Sequence, residues 1–384
     1  MRIAVLIYSL ASGGAERVVS YLSHYFIEKD IEIHLVLMNS TIKYTIPNDL
    51  KIHYLENSDS NESGIFKALK IPLLALRYSK LLSDLEITHS CSFLTRPNFI
   101  NILANKTRRS GIRVICNERA FPSLQYNYSG FQSIFNKWLI SFLYKKSDLV
   151  VGNSNENIED LITNFNVPQI KTCVIHNPID LKTIEKIKPL DNFFDNRYFN
   201  IITIGRLDQG KNHEMLINSI QNLSNQSTRL YIFGEGPLRG YLKNLIKELG
   251  LDDQVFLMGY EPNPFKYLKS ADLFIFGSNH EGFPNVLLEA MACNLPVLTT
   301  NCQSGPKEIM ELKESLNDLM ITNYGILVPV NNQSLMTKGI KYFLKDNSFS
   351  ESCKTNVYTR VKDFEKYKVL KRYVKVINNL DRNY

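Results

Sequence analysis

No apolar run among these 384 residues approaches the ~18 consecutive positions that a membrane-spanning helix needs. Six cysteines (Cys91, Cys116, Cys173, Cys293, Cys302 and Cys353) are scattered and form no C-x-x-C pair. That pattern argues against a disulfide framework or a structural zinc site and fits a reducing cytoplasm. Low-complexity blocks are missing as well, so the chain is expected to fold along its length. There is no D-x-D triplet to hold a divalent metal against a diphosphate, and no G-x-G-x-x-G spacing of a dinucleotide site. A formal charge of +7, without a concentrated stripe, gives no argument for nucleic acid. Arg2 and the apolar run behind it resemble a signal peptide, but one basic residue is a thin n-region and the following residues read as a folded unit. The expectation is a soluble protein on the cytoplasmic side of a membrane.

What is present is alternation, in a chain long enough for two domains with separate cores. Residues 3–8 (IAVLIY) form a short continuous apolar run, as in a strand buried on both faces of a parallel sheet. Ser12-Gly13-Gly14 follows, then a helical pattern over 15–27 and a second strand over 31–38. Glycines in such a turn let backbone approach a ligand and leave helix amides pointing at it, although a merely tight turn reads the same way. Further strands are expected at 114–116, with Asn117-Glu118-Arg119 at the ligand-binding end, and at 149–152, where Asn153-Ser154 caps the next helix. A polar, Lys-rich stretch over 181–199 reads as a linker. The alternation then restarts with strands near 200–204, 230–233, 255–257, 273–276 and 296–299. The fold class is therefore α/β, with two doubly wound Rossmann-like domains (1–180 and 200–362) facing a cleft. The stretch 363–384 is expected to form a helix that returns to the first domain.

Two basic segments stand apart. Residues 63–83 carry Lys67, Lys70, Arg77 and Lys80 without an acid, in an apolar pattern interrupted by Pro72. Lys106, Arg108, Arg109 and Arg113 form a second acid-free cluster over 106–113. Both suit an anionic membrane surface, and both equally suit ordinary solvated faces.

The stretch that organises the chain is HEGFPNVLLEAMA, residues 280–292. Pro284 suits a first helical turn, which places Glu281 before the helix and Glu289 one turn inside it. Gly282, Phe283, Pro284 and Asn285 between them present a helix N-terminus suited to an anion. Upstream, GRLDQGKN offers Arg206 and Lys211, a planar fork and a mobile point charge that together suit a diphosphate. Gly205, Gly210 and Lys211 reproduce the P-loop spacing, but Asn212 stands where the metal-binding hydroxyl belongs.

Arg206 and Lys211 in GRLDQGKN, GEGP at 234–237, and Glu281 and Glu289 with seven residues between them resemble the family-4 retaining glycosyltransferases of GT-B fold. The first domain matches through YSLASGGAERVVS. Within the family the chain is most similar to bacterial N-acetylgalactosaminyltransferases that extend undecaprenyl-diphosphate-linked glycans, sharing SGGAERVVS, Asn117-Glu118 and GRLDQGKNH. The resemblance implies a UDP-sugar donor, a lipid-linked glycan acceptor, no resident cofactor or metal, and a peripheral place on the inner membrane. Arg206 and Lys211 would hold the diphosphate, approached from the other domain by Gly13 and Gly14. Glu281 would contact the donor sugar, with the amides of Gly282, Phe283, Pro284 and Asn285 as the neighbouring backbone, although proline brings no N–H. Glu289 would take the ribose hydroxyls, and Glu235 would lie near the base or ribose. Many members have a histidine where this chain reads Asn117-Glu118, so Glu118 is a candidate for orienting the acceptor or stabilising the transition state. A hexose transferase of O-antigen or capsule synthesis, a GT-B epimerase and a P-loop nucleotide-binding protein are the alternatives.

Overall fold

The computed structural model describes residues 1–11, 13–58, 62–106, 111–223, 226–313 and 317–382. The chain forms two compact units, Met1–Pro178 with Lys366–Tyr384, and Ile179–Glu365. In the first unit the strands are β1 (Arg2–Ile7), β2 (Glu32–Leu37), β3 (Lys51–Tyr54), β4 (His89–Phe93), β5 (Arg113–Glu118), β6 (Leu149–Gly152) and β7 (Thr172–Val174). They lie in the order β3-β2-β1-β4-β5-β6-β7, all parallel. Parallel strands are joined by crossovers, so helices cover both faces and the strands are apolar on both sides. One face packs Leu6, Val36 and Val114 against Tyr78, Phe99 and Phe165. The other packs Val5, Leu35 and Ile115 against Phe26 and against Val369, Leu370, Tyr373 and Ile377 of the helix Lys366–Arg382. That last helix is also tied by polar contacts. The Tyr373 hydroxyl donates to Asn117 Oδ1 at 3.2 Å, and Asp381 lies 3.2 Å from the buried His89.

The second unit contains β8 (Phe199–Ile204), β9 (Thr228–Phe233), β10 (Val255–Gly259), β11 (Leu273–Phe276), β12 (Val297–Thr300), β13 (Met320–Thr322) and β14 (Gly325–Val328). Their order is β10-β9-β8-β11-β12-β14-β13, parallel except for the antiparallel edge pair β13–β14. The stretch 181–199 is not a linker but part of this unit. Its helix Leu181–Glu185 buries Leu181 and Ile184, and Phe194 packs on Tyr231 with ring centroids 4.7 Å apart. Lys182, Lys186 and Lys188 are exposed around this apolar spine and mask it in the composition.

In each sheet the strand order reverses once, between β1 and β4 and between β8 and β11. Open α/β sheets bind ligands at the carboxyl ends of the strands at such a reversal. The loops following β8 and β11 contain Arg206, Lys211 and Glu281.

Candidate active site

Three loops of the second unit are laced together at the strand ends. The loop after β9 lies directly on the loop after β8: Gly205 N–H donates to Phe233 O at 2.9 Å, and Leu207 N–H to Glu235 O at 3.0 Å. Gly234 has φ +147°, and a Cβ there would stand 1.9 Å from the Gly205 carbonyl oxygen. Only glycine allows this approach, which explains the first glycine of GEGP. Glu235 itself is half exposed and pairs with Arg239 at 2.9 Å.

The loop after β11 meets the loop after β8 through backbone and side chains. Asn279 N–H donates to Gly210 O at 2.8 Å, and Asn279 Nδ2 donates to Gln209 O at 3.2 Å. Lys211 Nζ donates to Glu281 Oε1. Ser278 Oγ lies 2.7 Å from the same carboxylate oxygen and 3.1 Å from Gly210 O. A hydroxyl carries one hydrogen, so Ser278 can serve only one of these acceptors at a time. Arg206 reaches out beside the pair, its side chain 71% exposed and 3.7 Å from Asp208. Asp208 in turn accepts from the Lys211 N–H at 3.1 Å, which shapes the turn. The arrangement thus offers one exposed guanidinium, one ammonium shared with a carboxylate, and that carboxylate.

Asn212 stands in αL conformation (φ 50°) as the cap of the helix His213–Gln221, its Oδ1 accepting from Met215 N–H at 3.4 Å. Its Nδ2 donates to Asn279 and to Asn331. With its side chain committed to a cap and two loop contacts, the P-loop alternative has no structural counterpart.

A third loop, after β12, holds the Glu281 segment. Glu281 N–H donates to Gln303 O at 3.3 Å, and Ser304 Oγ to Gly282 O at 2.5 Å. Gly305, at φ +112°, lets this loop pass against Pro284; a Cβ there would sit 2.5 Å from Pro284 Cδ. Pro284 precedes the helix rather than lying in its first turn: its backbone is extended and the helix runs Asn285–Ala292. The Phe283 ring is buried and packs on Phe364 with centroids 5.7 Å apart, so this side chain serves the core. Glu289 lies in the second helical turn, 6% exposed among Leu287, Leu288, Ala290 and Met291.

Ser278 and the 303–305 loop were not singled out from sequence, nor was His213. The Ser-Gly-Pro after β12 was a visible turn signal, whereas Ser278 carried none. His213 lies buried beneath the loop after β8. Burial pushes its imidazole down to about 4, against the carbonyl groups of Gly205 and Arg206, which favour the protonated form.

The first unit's candidates divide. Ser12 lies outside the described residues, as do 107–110 with Arg108 and Arg109 of the basic cluster. Gly13 and Gly14 begin the helix Gly14–Glu28, and the Tyr44 hydroxyl donates to Gly13 O at 2.9 Å. Glu118, by contrast, is the last residue of β5 and only 1% exposed. Its carboxylate accepts from Tyr144 Oη at 2.6 Å, Thr95 Oγ1 at 3.3 Å and the amides of Arg119 at 3.0 Å and Ala120 at 3.3 Å. Burial raises its pKa and these four donors lower it. A carboxylate so enclosed has little capacity left for a substrate hydroxyl, and the geometry makes it a positioning group at the strand end.

Residues 12–183 match Glycosyltransferase Family 4, and residues 185–360 match glycosyl transferases group 1. The chain is 41% identical over 380 residues (98% of it and 99% of the relative) to the Campylobacter jejuni N-acetylgalactosamine-N,N'-diacetylbacillosaminyl-diphospho-undecaprenol 4-alpha-N-acetylgalactosaminyltransferase. It is 24% identical over 98% of both chains to a second transferase of that organism, which acts on GalNAc-alpha-(1->4)-GalNAc-alpha-(1->3)-diNAcBac-PP-undecaprenol. Among solved structures, Anabaena HepE in complex with UDP superposes with a TM-score of 0.79 at 16% identity, covering 99% of this chain and all of that one. Sucrose-phosphate synthase from Thermosynechococcus elongatus gives 0.82 at 16% identity, covering all of both chains. At such identity these two speak for the fold, which is GT-B. With both halves matched by family models and a relative 41% identical over nearly the full length, this protein belongs to Glycosyltransferase Family 4 and is a glycosyltransferase.

Proposed function

We propose that the chain transfers N-acetylgalactosamine from UDP to a saccharide carried on a polyprenyl diphosphate, forming an alpha linkage with retention of configuration. The observation that carries this reading is the Lys211–Glu281 pair beside the exposed Arg206 at the β8/β11 switch point. The sugar and lipid classes follow the printed activity of the Campylobacter jejuni relative at 41% identity.

Arg206 and Lys211 take the diphosphate. In doing so, Lys211 loosens from Glu281, whose carboxylate then accepts from the sugar hydroxyls. Until donor arrives, each charge neutralises the other, so neither is left half-buried and alone. Glu289 takes the ribose hydroxyls, the backbone of 282–285 borders the sugar and phosphate, and Glu235 stands near the base. The Gly14 amide, at the start of its helix, is offered to an anionic group, while the Gly13 N–H donates to the Tyr44 hydroxyl. The acceptor hydroxyl oxygen bonds to the anomeric carbon on the face from which UDP departs, and its proton passes to the departing phosphate oxygen. Charge building on UDP meets Arg206 and Lys211, so no metal is required. Glu118 holds the end of β5 in place.

Contact with an anionic membrane surface is part of the proposal. Pro72 divides residues 63–83 into helices Gly64–Leu69 and Ile71–Asp84. Lys70 pairs with Glu62 and Lys67 lies over the Tyr8 ring, while Arg77 and Lys80 are exposed. Among the described residues no helix is long and apolar enough to cross a membrane.

The test offers a panel of UDP-sugars with short lipid-diphosphate acceptors, the product anomer being read by NMR. The expected outcome is transfer of N-acetylgalactosamine with alpha configuration, unchanged by EDTA. Isomerised UDP-sugar without transfer would assign an epimerase instead, and loss of turnover in EDTA would remove the metal-free clamp. Charge reversal at Arg77 and Lys80 should weaken vesicle binding.

A further inference from the structure

The first unit carries an aromatic stripe that neither the core nor the proposed site uses. In the helix Phe131–Leu143, Ser133, Ile140 and Leu143 face inward. The opposite side presents Ile134, Trp138 and Phe142 at successive turns, 68%, 55% and 41% exposed. The Trp138 and Phe142 rings stack at 5.3 Å with planes 5° apart, and Phe135 extends the stack at 6.2 Å from Trp138. Isolated apolar side chains on a surface need no explanation, but three on consecutive turns of one helix face do.

This helix does not stand alone. Gly64 and Gln132 touch: a Cβ on Gly64 would lie 2.1 Å from Gln132 Nε2, so two helices begin side by side there. The helix Thr95–Lys106 packs against both Ile71–Asp84 and Phe131–Leu143, which places all three in one layer. Phe66, Leu69, Leu73 and Leu76 are exposed on the neighbouring helices of that layer.

Charge decides the occupant. Residues 131–146 contain no Asp or Glu, but do contain Lys137, Lys145 and Lys146, with Lys146 Nζ over the Phe142 ring. A second copy of the same face would set these lysines against each other. Lysines with long stems beside a Trp/Phe stripe instead match the headgroup level of an anionic bilayer, where indole and phenyl rings settle below the phosphates.

We propose that the helix Phe131–Leu143, with Trp138 at its centre, is an interfacial anchor that enters the headgroup region of an anionic bilayer. The proposal rests on the membrane reading above and assigns the apolar part of the contact to the helix Phe131–Leu143.

The chain has one tryptophan, so Trp138 alone reports on its surroundings. The full-length protein is mixed with vesicles of phosphatidylethanolamine and phosphatidylglycerol, with and without brominated acyl chains, and with phosphatidylcholine vesicles as control. Binding is followed by co-sedimentation. The expected result is a blue shift and bromolipid quenching of Trp138 on anionic vesicles, with roughly tenfold weaker partitioning for Phe142→Asp. Transfer by Phe142→Asp to a short water-soluble acceptor should match the parent, which confirms its fold. Vesicle binding without quenching overturns the anchor while leaving residues 63–83 as the contact. No co-sedimentation at all overturns both. Self-association in the absence of lipid that Phe142→Asp abolishes would overturn it in favour of a subunit interface.

Discussion

The two sheets end in different kinds of polar chemistry. At the β8/β11 ends, charged side chains sit on loops, partly open to solvent, and their partners are one another: Lys211 with Glu281, Arg206 beside Asp208. Around β4 and β5 the polar groups are interior. Ser90, Ser92, Asn98, Asn101 and Asn117 are fully buried, Glu118 is 1% exposed, and they satisfy each other across strands and helices. Exchangeable partners suit a ligand, because an incoming phosphate or hydroxyl can replace a protein contact. A closed network suits rigidity, because every group withdrawn from it leaves another unpaired. The comparison teaches that a carboxylate at a strand end is not a site until its lone pairs are counted.

The contrast predicts opposite signatures. Arg206→Ala and Lys211→Ala should each lower kcat by about 10²-fold or more, since they remove charge stabilisation of the leaving diphosphate. Loss of the exposed Arg206 should change Tm little, whereas loss of Lys211 strands the Glu281 carboxylate and should lower Tm as well. Steady-state kinetics beside a thermal melt checks this, and a large drop in Tm with normal turnover would erase the distinction. Glu118→Ala should do the reverse, costing about 2–4 kcal/mol in stability by stranding the Tyr144 and Thr95 hydroxyls and two amides. Denaturant unfolding measures it; an unchanged midpoint with abolished turnover would return Glu118 to the substrate.

Ser278→Ala should be milder, raising the donor KM by roughly tenfold or less, because one buried hydroxyl contributes about 1 kcal/mol. Its hydroxyl lies within reach of the Glu281 carboxylate and the Gly210 carbonyl and donates to one of them at a time, so an effect on kcat larger than on KM would place Ser278 closer to the chemistry than this geometry does.

A further effect concerns pH. His213 is held near 4 in the fold, below its ordinary 6.5, so between these values the unfolded chain binds a proton that the folded one does not. Stability from this group is complete above 6.5 and falls as pH drops toward 4. His213→Gln should flatten that part of the stability profile. His34, His53 and His89 are also held low by burial but are common to both proteins, so the difference isolates His213. Parallel profiles would show that its burial is not felt.

Much of the second unit was legible. Its central strands are mostly apolar, and Arg206, Lys211 and Glu281 lie in the loops directly after two of them, where spacing along the chain is nearly spacing in the fold. The first unit was less so. β4, HSCSF, alternates polar residues and has no strand signal, yet all five residues are buried. Tyr78, Asn98 and Asn101 satisfy its serines, and these partners come from helices on either side of it in sequence. Glu118 is a candidate from sequence because it stands at a strand end, and nothing local announces Tyr144 as its partner 26 residues away. The lysines of 181–199 hid a buried spine, and the aromatic spacing of 131–143 looks the same whether a helix faces a core or a surface.

By itself, then, the sequence determined the repeated strand–loop–helix order and the placement of Arg206, Lys211 and Glu281 in loops after strands, because hydrophobic periodicity and turn chemistry act over a few residues. Tertiary structure alone decided which polar groups are closed off and that Trp138 faces outward. Those outcomes depend on partners far apart in the chain, since a buried donor or acceptor is tolerated only where folding brings its complement to it.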